Sequence, residues 1–382
     1  MCERVVEPSP VIGILGGGQL GRMMAIAAIP MGIQVRFLAP TVAGPMLGLG
    51  EQHIADWDNE EVLRSWADGL AVITVESEWA PADVAARAVG DSIPIRPSHK
   101  TIDLIRHKGR QKIHLVESGL PVPTFRNCAT IAQALAAGRD FGFPVLLKQF
   151  MHSYDGYGNA TVGSESELRA AWTDLAADDG LMVETYVPFQ QELSVLVARR
   201  PGGQHVIYPV AYSEQRDHRC HIVMAPAEAH PGVLSEARRI GLAAVESVEA
   251  VGLMAVELFQ MADGEVLINE LAPRPHNTGH YSIEGCYTSQ FENHVRAILD
   301  LPLGNPELRE PVAAMVNVLG RRDGTVSRRG LREALGIPGA SVHLYGKPDV
   351  RKHRKMGHVT VCGHKRDEVR KRAENAASLI DL

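Results

Sequence analysis

The sequence predicts a mixed α/β and α+β protein of two or three domains, and three observations lead to this prediction. The chain has 382 residues, more than one ordinary hydrophobic core supports. Its first part follows the order strand, glycine turn, helix, strand. The later part consists mainly of short strands separated by turns, with a charged helix at the end.

The N-terminal segment is a βαβ unit, which implies a parallel sheet. The β-branched run at residues 11–15 leads into GGGQLG and a helical pattern, and a second strand covers residues 31–39. The run LAVITVESEWAP at residues 70–81 predicts a further buried strand that ends in acidic residues. We therefore expect a doubly wound domain at residues 10–105, with ligands at the carboxyl ends of its strands.

The middle of the chain predicts helices and antiparallel hairpins. Residues 101–119 have the pattern of one long helix that is ended by a glycine and a following proline. The strands FGFPVLLKQF and ATVG flank a polar, glycine-containing loop, and the segment VELFQMADGEVLINE has an Asp-Gly turn between two strands. Both segments predict β-hairpins.

The composition excludes several classes of protein. The net charge is −6, with 39 basic and 45 acidic residues, which gives no overall attraction to nucleic acid or to an anionic membrane. The five cysteines are odd in number and form no C-x-x-C pair, so we expect reduced thiols and neither disulfides nor zinc. The N-terminus lacks an apolar signal core, and no apolar run reaches the roughly 18 residues of a bilayer span. We expect a cytoplasmic protein without membrane or nucleic-acid partners.

The glycine loop and the acids after the third predicted strand are candidate ligand sites. Gly16, Gly18 and Gly21 allow backbone N–H groups to approach an anion at a helix N-terminus, although a tight structural turn is an alternative. The second strand ends without an acid, which argues against a dehydrogenase. Glu76 and Glu78 are two residues apart on the predicted strand, so they should point the same way, toward a ligand or toward solvent.

Charged residues on the next strands are candidates for nucleotide binding. Lys148 lies in an apolar strand and needs a counter-charge, either a nucleotide phosphate or a buried acid. The loop HSYDGYG that follows it could cover phosphates through its glycine N–H groups. The segment from Glu184 to Val187 could meet an adenine edge and Glu192 the ribose hydroxyls, unless these acids lie at the surface.

The hairpin near residue 260 has the strongest local signal. Glu257 and Glu270 lie on paired strands, and facing carboxylates repel unless a cation lies between them. Mg²⁺ prefers such oxygen ligands and usually bridges nucleotide phosphates. The next segment, LAPRPHNTGHYS, is stiffened by two prolines and carries Arg274, His276, Asn277 and His280, which suggests stabilisation of a transferring phosphoryl group.

A basic cluster in YGKPDVRKHRKMGH is the natural partner of a phosphate in this acidic chain, although it could be a solvated charge run. Its members are Lys347, Arg351, Lys352, Arg354 and Lys355.

The order of these segments resembles the N5-carboxyaminoimidazole ribonucleotide synthetases of the ATP-grasp superfamily. The resemblance runs from about residue 11 to residue 365 and is carried by GILGGGQLGRM, LLKQFMHSYDGYGN, QELSVLVAR, INELAPRPHNTGHYSIEGCYTSQFENHVRAILDLPLG, MVNVLG and HLYGKPDVRKHRKMGH. It implies a pre-ATP-grasp domain at 10–105, an ATP-grasp domain at 106–310 with a lid at about 120–187, and a small, β-rich C-terminal domain at 311–382.

The resemblance also implies a reaction, its cofactors and a homodimer. ATP with Mg²⁺ would phosphorylate bicarbonate to carboxyphosphate, which carboxylates the exocyclic amine of 5-aminoimidazole ribonucleotide. The residues that it assigns are Arg274, His276, Asp155 and Tyr154 for catalysis; Lys108, Lys148, His152, Ser153, Gly156, Gly158, Glu184, Val187, Glu192, Gln215 and Asn269 for ATP; Glu257 and Glu270 for the metal; and Gln19, Leu20, Glu76, Asn277, Lys347, Arg354 and Lys355 for the ribonucleotide.

Three positions depart from the pattern of the family. Tyr157 replaces an expected cation near phosphate, Gln215 stands where a histidine is expected, and His107 stands where an aspartate is expected. A nucleotide-binding homologue of low activity is therefore one alternative. A second is a formate-dependent ligase similar to glycinamide ribonucleotide transformylase, which shares GxGxLG, an acid pair and PRPH. The segments SQFENHVRAILDLPLG and RKMGH favour the carboxylating enzyme.

Overall fold

The computed structural model describes residues 9–42, 44–153, 157–175, 179–216 and 219–382. The first part of the chain forms a parallel sheet with helices on both faces. Its strand order is β3-β2-β1-β4, and every neighbouring pair is parallel. The elements are β1 (Val11–Leu15), α1 (Gln19–Ala28), β2 (Gln34–Ala39), β3 (Glu51–Ile54), α2 (Glu60–Ala67), β4 (Val72–Val75) and α3 (Ala82–Val89). The predicted doubly wound arrangement is confirmed.

Side-chain alternation along β1 divides the core of this part in two. Ile12 and Ile14 pack with α1, whereas Leu15 packs with α2 and α3 on the other face. This explains why the strand is apolar at nearly every position.

The predicted long helix at residues 101–119 is wrong, because the chain forms two helices there. They are α4 (His99–Arg106) and α5 (Lys108–Glu117). His107 between them is extended, with φ −98° and ψ 100°, and its Nδ1 accepts the backbone N–H of Arg110 at 3.2 Å. His107 is both the C-cap of α4 and the N-cap of α5. The helical pattern of the sequence continues across this residue, although the helix itself does not.

The described residues of the predicted lid form a small α+β unit with its own core. Its antiparallel sheet has the order β5-β8-β6-β7, and the predicted hairpin of β6 with β7 is confirmed. The elements are β5 (Phe125–Cys128), α6 (Ile131–Phe141), β6 (Val145–Gln149), β7 (Asn159–Val162), α7 (Glu165–Leu175) and β8 (Leu181–Thr185).

The largest sheet carries the second hairpin and continues into the C-terminal part of the chain. Its main order is β14-β13-β9-β11-β12-β15-β19-β17, with β10 paired to β9. The first group of elements is β9 (Gln191–Arg199), β10 (His205–Ile207), β11 (Ala211–Arg216), β12 (Arg219–Ala225), α8 (Pro231–Ser247), β13 (Gly252–Gln260), β14 (Val266–Ala272), α9 (Ser282–Gly285) and α10 (Gln290–Ile298).

Most of the C-terminal strands extend this sheet, and two short ones form a separate two-stranded sheet. β12 pairs antiparallel with β15, which places Ile222 opposite Val316. The elements are β15 (Val312–Leu319), β16 (Gly324–Thr325), α11 (Leu331–Leu335), β17 (Ala340–Leu344), β18 (Asp349–Val350), β19 (Lys355–Gly363) and α12 (Arg366–Leu379). The strands and the final helix predicted for this part are confirmed.

The large sheet has a helix-covered rear face and a front face. On β9, Leu193, Val195 and Val197 pack under α8, and the cluster under α12 continues this rear core. Leu196 and Ala198 point to the front, where α9 and α10 lie. None of the described helices combines the length and the apolar character that a bilayer-spanning helix needs.

Candidate active site

The glycine loop after β1 encloses the carboxylate of Glu76. The backbone N–H groups of Gly18 and Gly21 donate to its two oxygens, the second at 3.0 Å. A Cβ atom at Gly16 or Gly18 would lie 2.3 or 2.6 Å from atoms of the Glu76 side chain, so this close approach requires glycine. Burial raises the pKa of Glu76, and the two backbone hydrogen bonds oppose that rise. The anion at the N-terminus of α1 is thus this carboxylate.

Gln19 and Leu20, which were also predicted to bind the ribonucleotide, lie at the start of α1. Gln19 begins the helix and is partly exposed, whereas the side chain of Leu20 is only 8% exposed and packs in the core. Leu20 could therefore meet a ligand through its backbone alone.

The prediction that Glu76 and Glu78 lie on one strand is wrong. Strand β4 ends at Val75, and a turn follows in which Ala80 N–H donates to the Ser77 carbonyl. The turn allows the two carboxylates to take different partners. Glu78 accepts two hydrogen bonds from the Arg274 guanidinium, at 2.6 and 3.1 Å. Although burial opposes ionisation, Arg274 holds the pKa of Glu78 below its usual range.

Glu257 and Glu270 face one another, as predicted. They are direct partners in the register of β13 and β14, beside a bulge that follows Glu257. Glu270 forms an ion pair with Lys108 from the first turn of α5, and this pair outweighs burial to lower the pKa of Glu270. Burial and the charges of Glu270 and Glu192 raise the pKa of Glu257. The hairpin thus concentrates negative charge where a cation would be stabilised.

This donor set fits magnesium. The pair supplies hard carboxylate oxygens, and the described residues contain no group of three or more His, Cys, Asp or Glu that could hold a metal by itself. Mg²⁺ is commonly held by one or two carboxylates, with its other ligands from nucleotide phosphates and water. Glu257 and Glu270 would hold the ion, as the sequence predicted.

The counter-charge of Lys148 is a buried acid, one of the two options left open above. Glu184 is 1% exposed and lies between Lys112 at 2.7 Å and Lys148 at 2.6 Å. Asn269 also accepts a hydrogen bond from Lys148, at 3.3 Å. Burial lowers the pKa of Lys112 to about 8, although Glu184 opposes this effect. The carboxylate of Glu184 is thus bound to the two lysines.

Residues predicted for the ribose lie on neighbouring strands of the front face. Gln215 donates to Glu192 at 2.8 Å, and Ser213 donates to the same oxygen at 3.4 Å. Burial raises the pKa of Glu192. Glu192, Glu257 and Asn269 line the same narrow crevice, so the residue predicted for the ribose lies close to one of the two predicted for the metal.

His276 is held by a chain of buried hydroxyl groups. Its Nδ1 lies 2.9 Å from Thr278 Oγ1 and accepts the Thr278 backbone N–H at 3.4 Å, while Ser194 Oγ lies 2.7 Å from Thr278 Oγ1. Because Nδ1 accepts a backbone donor, the neutral ring carries its proton on Nε2, which lies 3.3 Å from Glu257. Burial, together with Arg274 and Lys355, lowers the pKa of His276 to about 3.

The predicted C-terminal basic cluster divides into two groups. Lys347 donates to the carbonyl of Lys355 at 2.7 Å, and the charges of these lysines act on Glu76 and Glu257 respectively. Arg354 instead pairs with Asp349 at 2.9 Å. Lys347 and Lys355 therefore act on the other site residues through their charge, whereas Arg354 binds Asp349.

Asn277 reaches the same part of the sheet. Its amide exchanges two hydrogen bonds with the amide of Asn317 on β15, at 2.9 and 2.7 Å. This pair ties the PRPH segment to the C-terminal part of the chain.

The predicted phosphate-covering loop is partly described. Tyr154, Asp155 and Gly156 lie outside the described residues. The His152 ring lies 4.5 Å from the Trp79 ring of the first domain, and Ser153 donates to Asn159 at 2.7 Å. Gly158 has a φ of 71°, and Val187 lies in the connection between β8 and β9.

The three departures from the family pattern each have a structural partner. His107 caps α5 as an aspartate would, and its ring stacks on Phe150 at 4.8 Å. Gln215 hydrogen-bonds Glu192. The guanidinium of Arg219 lies 5.6 Å from the centre of the Tyr157 ring, so β12 supplies a cation next to this tyrosine.

Several residues of the site were not predicted from the sequence. Lys112 could have been found, because it lies one helical turn after Lys108 on the same face of α5. Ser194, Thr278 and Asn317 carry no signal of their own, since small polar residues are common in strands and loops.

Three family models match the chain. The ribonucleotide synthetase preATP-grasp domain matches residues 10–106 and the ATP-grasp domain residues 113–291. The phosphoribosylaminoimidazole carboxylase C-terminal domain matches residues 313–372.

Named relatives agree with these matches. The N5-carboxyaminoimidazole ribonucleotide synthase of Synechococcus elongatus is 38% identical over 93% of this chain and 90% of its own length. The chloroplastic phosphoribosylaminoimidazole carboxylase of Vigna aconitifolia is 39% identical over 92% of this chain, which spans only 64% of that relative. The N5-carboxyaminoimidazole synthase of Aspergillus clavatus, solved with ADP and 5-aminoimidazole ribonucleotide, superposes with a TM-score of 0.88 at 32% identity, covering 97% of this chain and 98% of that one.

These matches confirm the predicted architecture and the prediction of an ATP-dependent ligase. The charged groups of the site are those that such a ligase needs. Opposed carboxylates, buried lysines and an arginine–histidine segment meet on the front face of the sheet. The chain belongs to the N5-carboxyaminoimidazole ribonucleotide synthase family of ATP-grasp enzymes.

Proposed function

We propose that the chain carboxylates 5-aminoimidazole ribonucleotide to N5-carboxyaminoimidazole ribonucleotide, with ATP and bicarbonate, in purine biosynthesis. The observation that carries this proposal is the opposed pair Glu257 and Glu270, with Lys108 beside it and His276 facing it. Such a group of charges suits phosphoryl transfer, which depends on positioning and on charge neutralisation.

In the first step, an oxygen of bicarbonate attacks the γ-phosphorus of ATP, and the bond from that phosphorus to the β–γ bridging oxygen breaks. The products are ADP and carboxyphosphate. Lys108 and Lys148 neutralise charge on the phosphates, and both are already held at the site by acids. Mg²⁺, held by Glu257 and Glu270, supplies further neutralisation of phosphate charge when it is bound.

In the second step, the exocyclic amine attacks the carbon of carboxyphosphate or of the CO2 that it releases. The bond between that carbon and the phosphate oxygen breaks, and the departing phosphate takes the proton of the amine. Arg274 is held by Glu78 near this centre, and neutral His276 can donate from Nε2 to an anionic oxygen. Tyr154 and Asp155 are assigned here by the family pattern alone.

ATP would lie between the lid and the large sheet. In this arrangement adenine meets the segment from Glu184 to Val187, and the ribose hydroxyls meet Glu192 with Gln215. Asn269 lies beside Lys148, where it adds an oxygen near the phosphates. The residues proposed to cover the phosphates are His152, Ser153, Gly156 and Gly158.

The ribonucleotide would lie between the glycine loop and the C-terminal lysines. Its phosphate is assigned to Lys347, Arg354 and Lys355, and the charge of Lys347 already acts on Glu76 at the other end of this space. The remaining contacts are assigned to Gln19, the backbone of Leu20, Glu76 and Asn277. The three-domain division at 10–105, 106–310 and 311–382 is part of this proposal, and the homodimer and the cytoplasmic location stay predictions.

ADP release tests this proposal directly. We expect ADP formation with ATP, bicarbonate and 5-aminoimidazole ribonucleotide together, and a large fall when the ribonucleotide is left out. Formate with glycinamide ribonucleotide should give no comparable rate. A faster rate with that second pair would favour the formate-dependent alternative, and tight ATP binding without turnover on either pair would indicate a non-catalytic homologue.

A further inference from the structure

A second cavity lies on the rear face of the large sheet. Its volume is about 580 Å³, and it lies between Arg216 of β11, His221 of β12, the end of β15 and α12. We call it the rear cavity; its lining includes Arg216, His221, Val316, Val318, Arg321 and Lys352. Pockets of roughly 300–1,000 Å³ are typical of small-molecule sites.

Strand alternation separates the rear cavity from the active site. On β11, Gln215 hydrogen-bonds Glu192 on the front face, whereas the next residue, Arg216, lies 3.6 Å from Glu374 of α12. Successive side chains of a strand point to opposite faces. The two sites therefore lie back to back across the same strand.

The side chains of β15 show the same separation of the rear cavity from the active site. Asn317 points to the front and bonds Asn277, whereas Val316 and Val318 pack in the rear core beneath α12. The two valines line the rear cavity. They can therefore report on its occupancy.

A β-bulge directs a histidine into the rear cavity. In the β11–β12 register Glu214 pairs with Ile222 and Gln215 with Cys220, which leaves His221 as the extra residue. Bulges commonly redirect a side chain near a functional site. Among the described residues, the buried Nε2 of His221 has no hydrogen-bond partner, although Glu374 Oε1 lies 3.7 Å away.

The charges around the rear cavity favour an anion. Of its described lining residues, Arg216, Arg321 and Lys352 are permanent cations, and Glu374 is the single carboxylate. Arg216 lies beyond hydrogen-bond distance of Glu374, and the Arg216 side chain is 61% exposed. Guanidinium groups match phosphate oxygens in geometry and charge.

We propose that the rear cavity binds a phosphorylated small molecule of nucleotide size. Arg216, Arg321 and Lys352 would hold its phosphate, and the bulged His221 would donate a further hydrogen bond. None of these residues belongs to the catalytic groups assigned above, so this proposal stands or falls independently of the proposed reaction.

The probe is AMP, titrated into protein that is saturated with Mg²⁺ and ADP so that the ATP site is filled. Methyl NMR of valine-labelled protein should show saturable shifts of the Val316 and Val318 methyl groups, which can be assigned with Val316→Ile and Val318→Ile. Adenosine, which lacks the phosphate, should leave these signals unchanged.

Substitutions at the cavity then test the contacts. Arg216→Ala with Lys352→Ala removes two charge-assisted contacts and should raise the dissociation constant of AMP at least about tenfold. The matched control, Arg332→Ala with Lys371→Ala, removes two exposed cations outside the cavity and should stay within about twofold. Glu374→Gln removes the opposing carboxylate and should tighten AMP binding by about threefold or more.

Three results would overturn the proposal. The first is the absence of shifts at both valines. The second is a response to adenosine equal to that of AMP, and the third is an unchanged dissociation constant in the Arg216→Ala, Lys352→Ala variant. The third result would mean that the valines report binding on the front face through β15.

Discussion

At the scale of single residues, the site is built from buried charges that are held in pairs. Lys108 binds Glu270, Lys112 and Lys148 bind Glu184, and Arg274 binds Glu78. A buried charge is tolerated when it is paired, and removal of one partner leaves the other uncompensated. Glu257, by contrast, faces the neutral ring of His276, and burial together with the negative charge of Glu270 and Glu192 raises its pKa.

Glu270→Gln should reduce kcat by about 100-fold or more, because it removes a carboxylate of the proposed metal pair and the partner of Lys108. Steady-state ADP release measures the effect, and a thermal melt checks that the protein remains folded. Glu265→Gln, an exposed carboxylate in the turn of the same hairpin, is the matched control. Near-normal turnover in the Glu270 variant would remove the metal assignment.

Thr278→Val should lower kcat by about fivefold with little change in the KM for ATP. The substitution keeps the shape of the side chain but removes the hydroxyl that holds His276 Nδ1, and one such hydrogen bond contributes about 1 kcal/mol. Thr278→Ser, which keeps the hydroxyl, should recover most of the rate. If the serine variant were as slow as the valine variant, packing and not the hydrogen bond would be the cause.

At the scale of elements, the break between α4 and α5 places the ion pair of Lys108. The new helix begins at Lys108, and the Lys108 backbone N–H donates to the carbonyl of Phe150 at 2.9 Å. His107 holds this start by capping α5. A histidine can cap a helix in this way only while its ring nitrogen is unprotonated.

His107→Ala should lower the free energy of unfolding by about 1 kcal/mol at pH 8, whereas His107→Asp should nearly preserve it. Burial, with the charge of Arg110, lowers the pKa of His107 below 6.5. The contribution of the cap is therefore complete above pH 6.5 and is lost as the pH falls through the lower folded-state pKa. Urea unfolding at several pH values measures this, and equal losses in the two variants would exclude the capping role.

Arg219→Ala should raise the KM for ATP or lower kcat by about tenfold, since Arg219 brings a cation beside Tyr157 near the phosphate-covering loop. Arg219→Lys should recover part of the loss, and Arg239→Ala, an exposed arginine of α8, serves as the control. Unchanged kinetics for Arg219→Ala would show that Tyr157 needs no cation.

The elements themselves were largely predictable, because each follows from local patterns. Alternation, glycine turns and the Asp-Gly hairpin predict β1, β6, β13 and β14 correctly. The break at His107 was missed, since the apolar period continues across it. The prediction that β4 continues through Glu76 and Glu78 was also wrong. The chain turns there because both carboxylates bind groups that are distant in sequence, namely Gly18, Gly21 and Arg274.

At the scale of the whole molecule, the site lies where distant parts of the chain meet. The glycine loop comes from the first sheet, Lys148 from the lid, the glutamate pair from the large sheet, and Lys355 from its C-terminal extension. Helix α10 packs through Phe291 against the core of the first domain. Sequence patterns indicate each part but contain no information about pairing across such separations, so Asn277 with Asn317 appears only in the structure.

In the proposed reaction, phosphoryl transfer activates bicarbonate at the pair of Glu257 and Glu270. The most direct measurement is a turnover with ¹⁸O-labelled bicarbonate, ATP and 5-aminoimidazole ribonucleotide, followed by mass analysis of the released phosphate. Because the oxygen that attacks the γ-phosphorus stays with that phosphorus when the carbon is transferred, we predict one ¹⁸O atom in each phosphate. Phosphate without the label, released while the ribonucleotide is carboxylated, would show that bicarbonate is not activated by phosphoryl transfer.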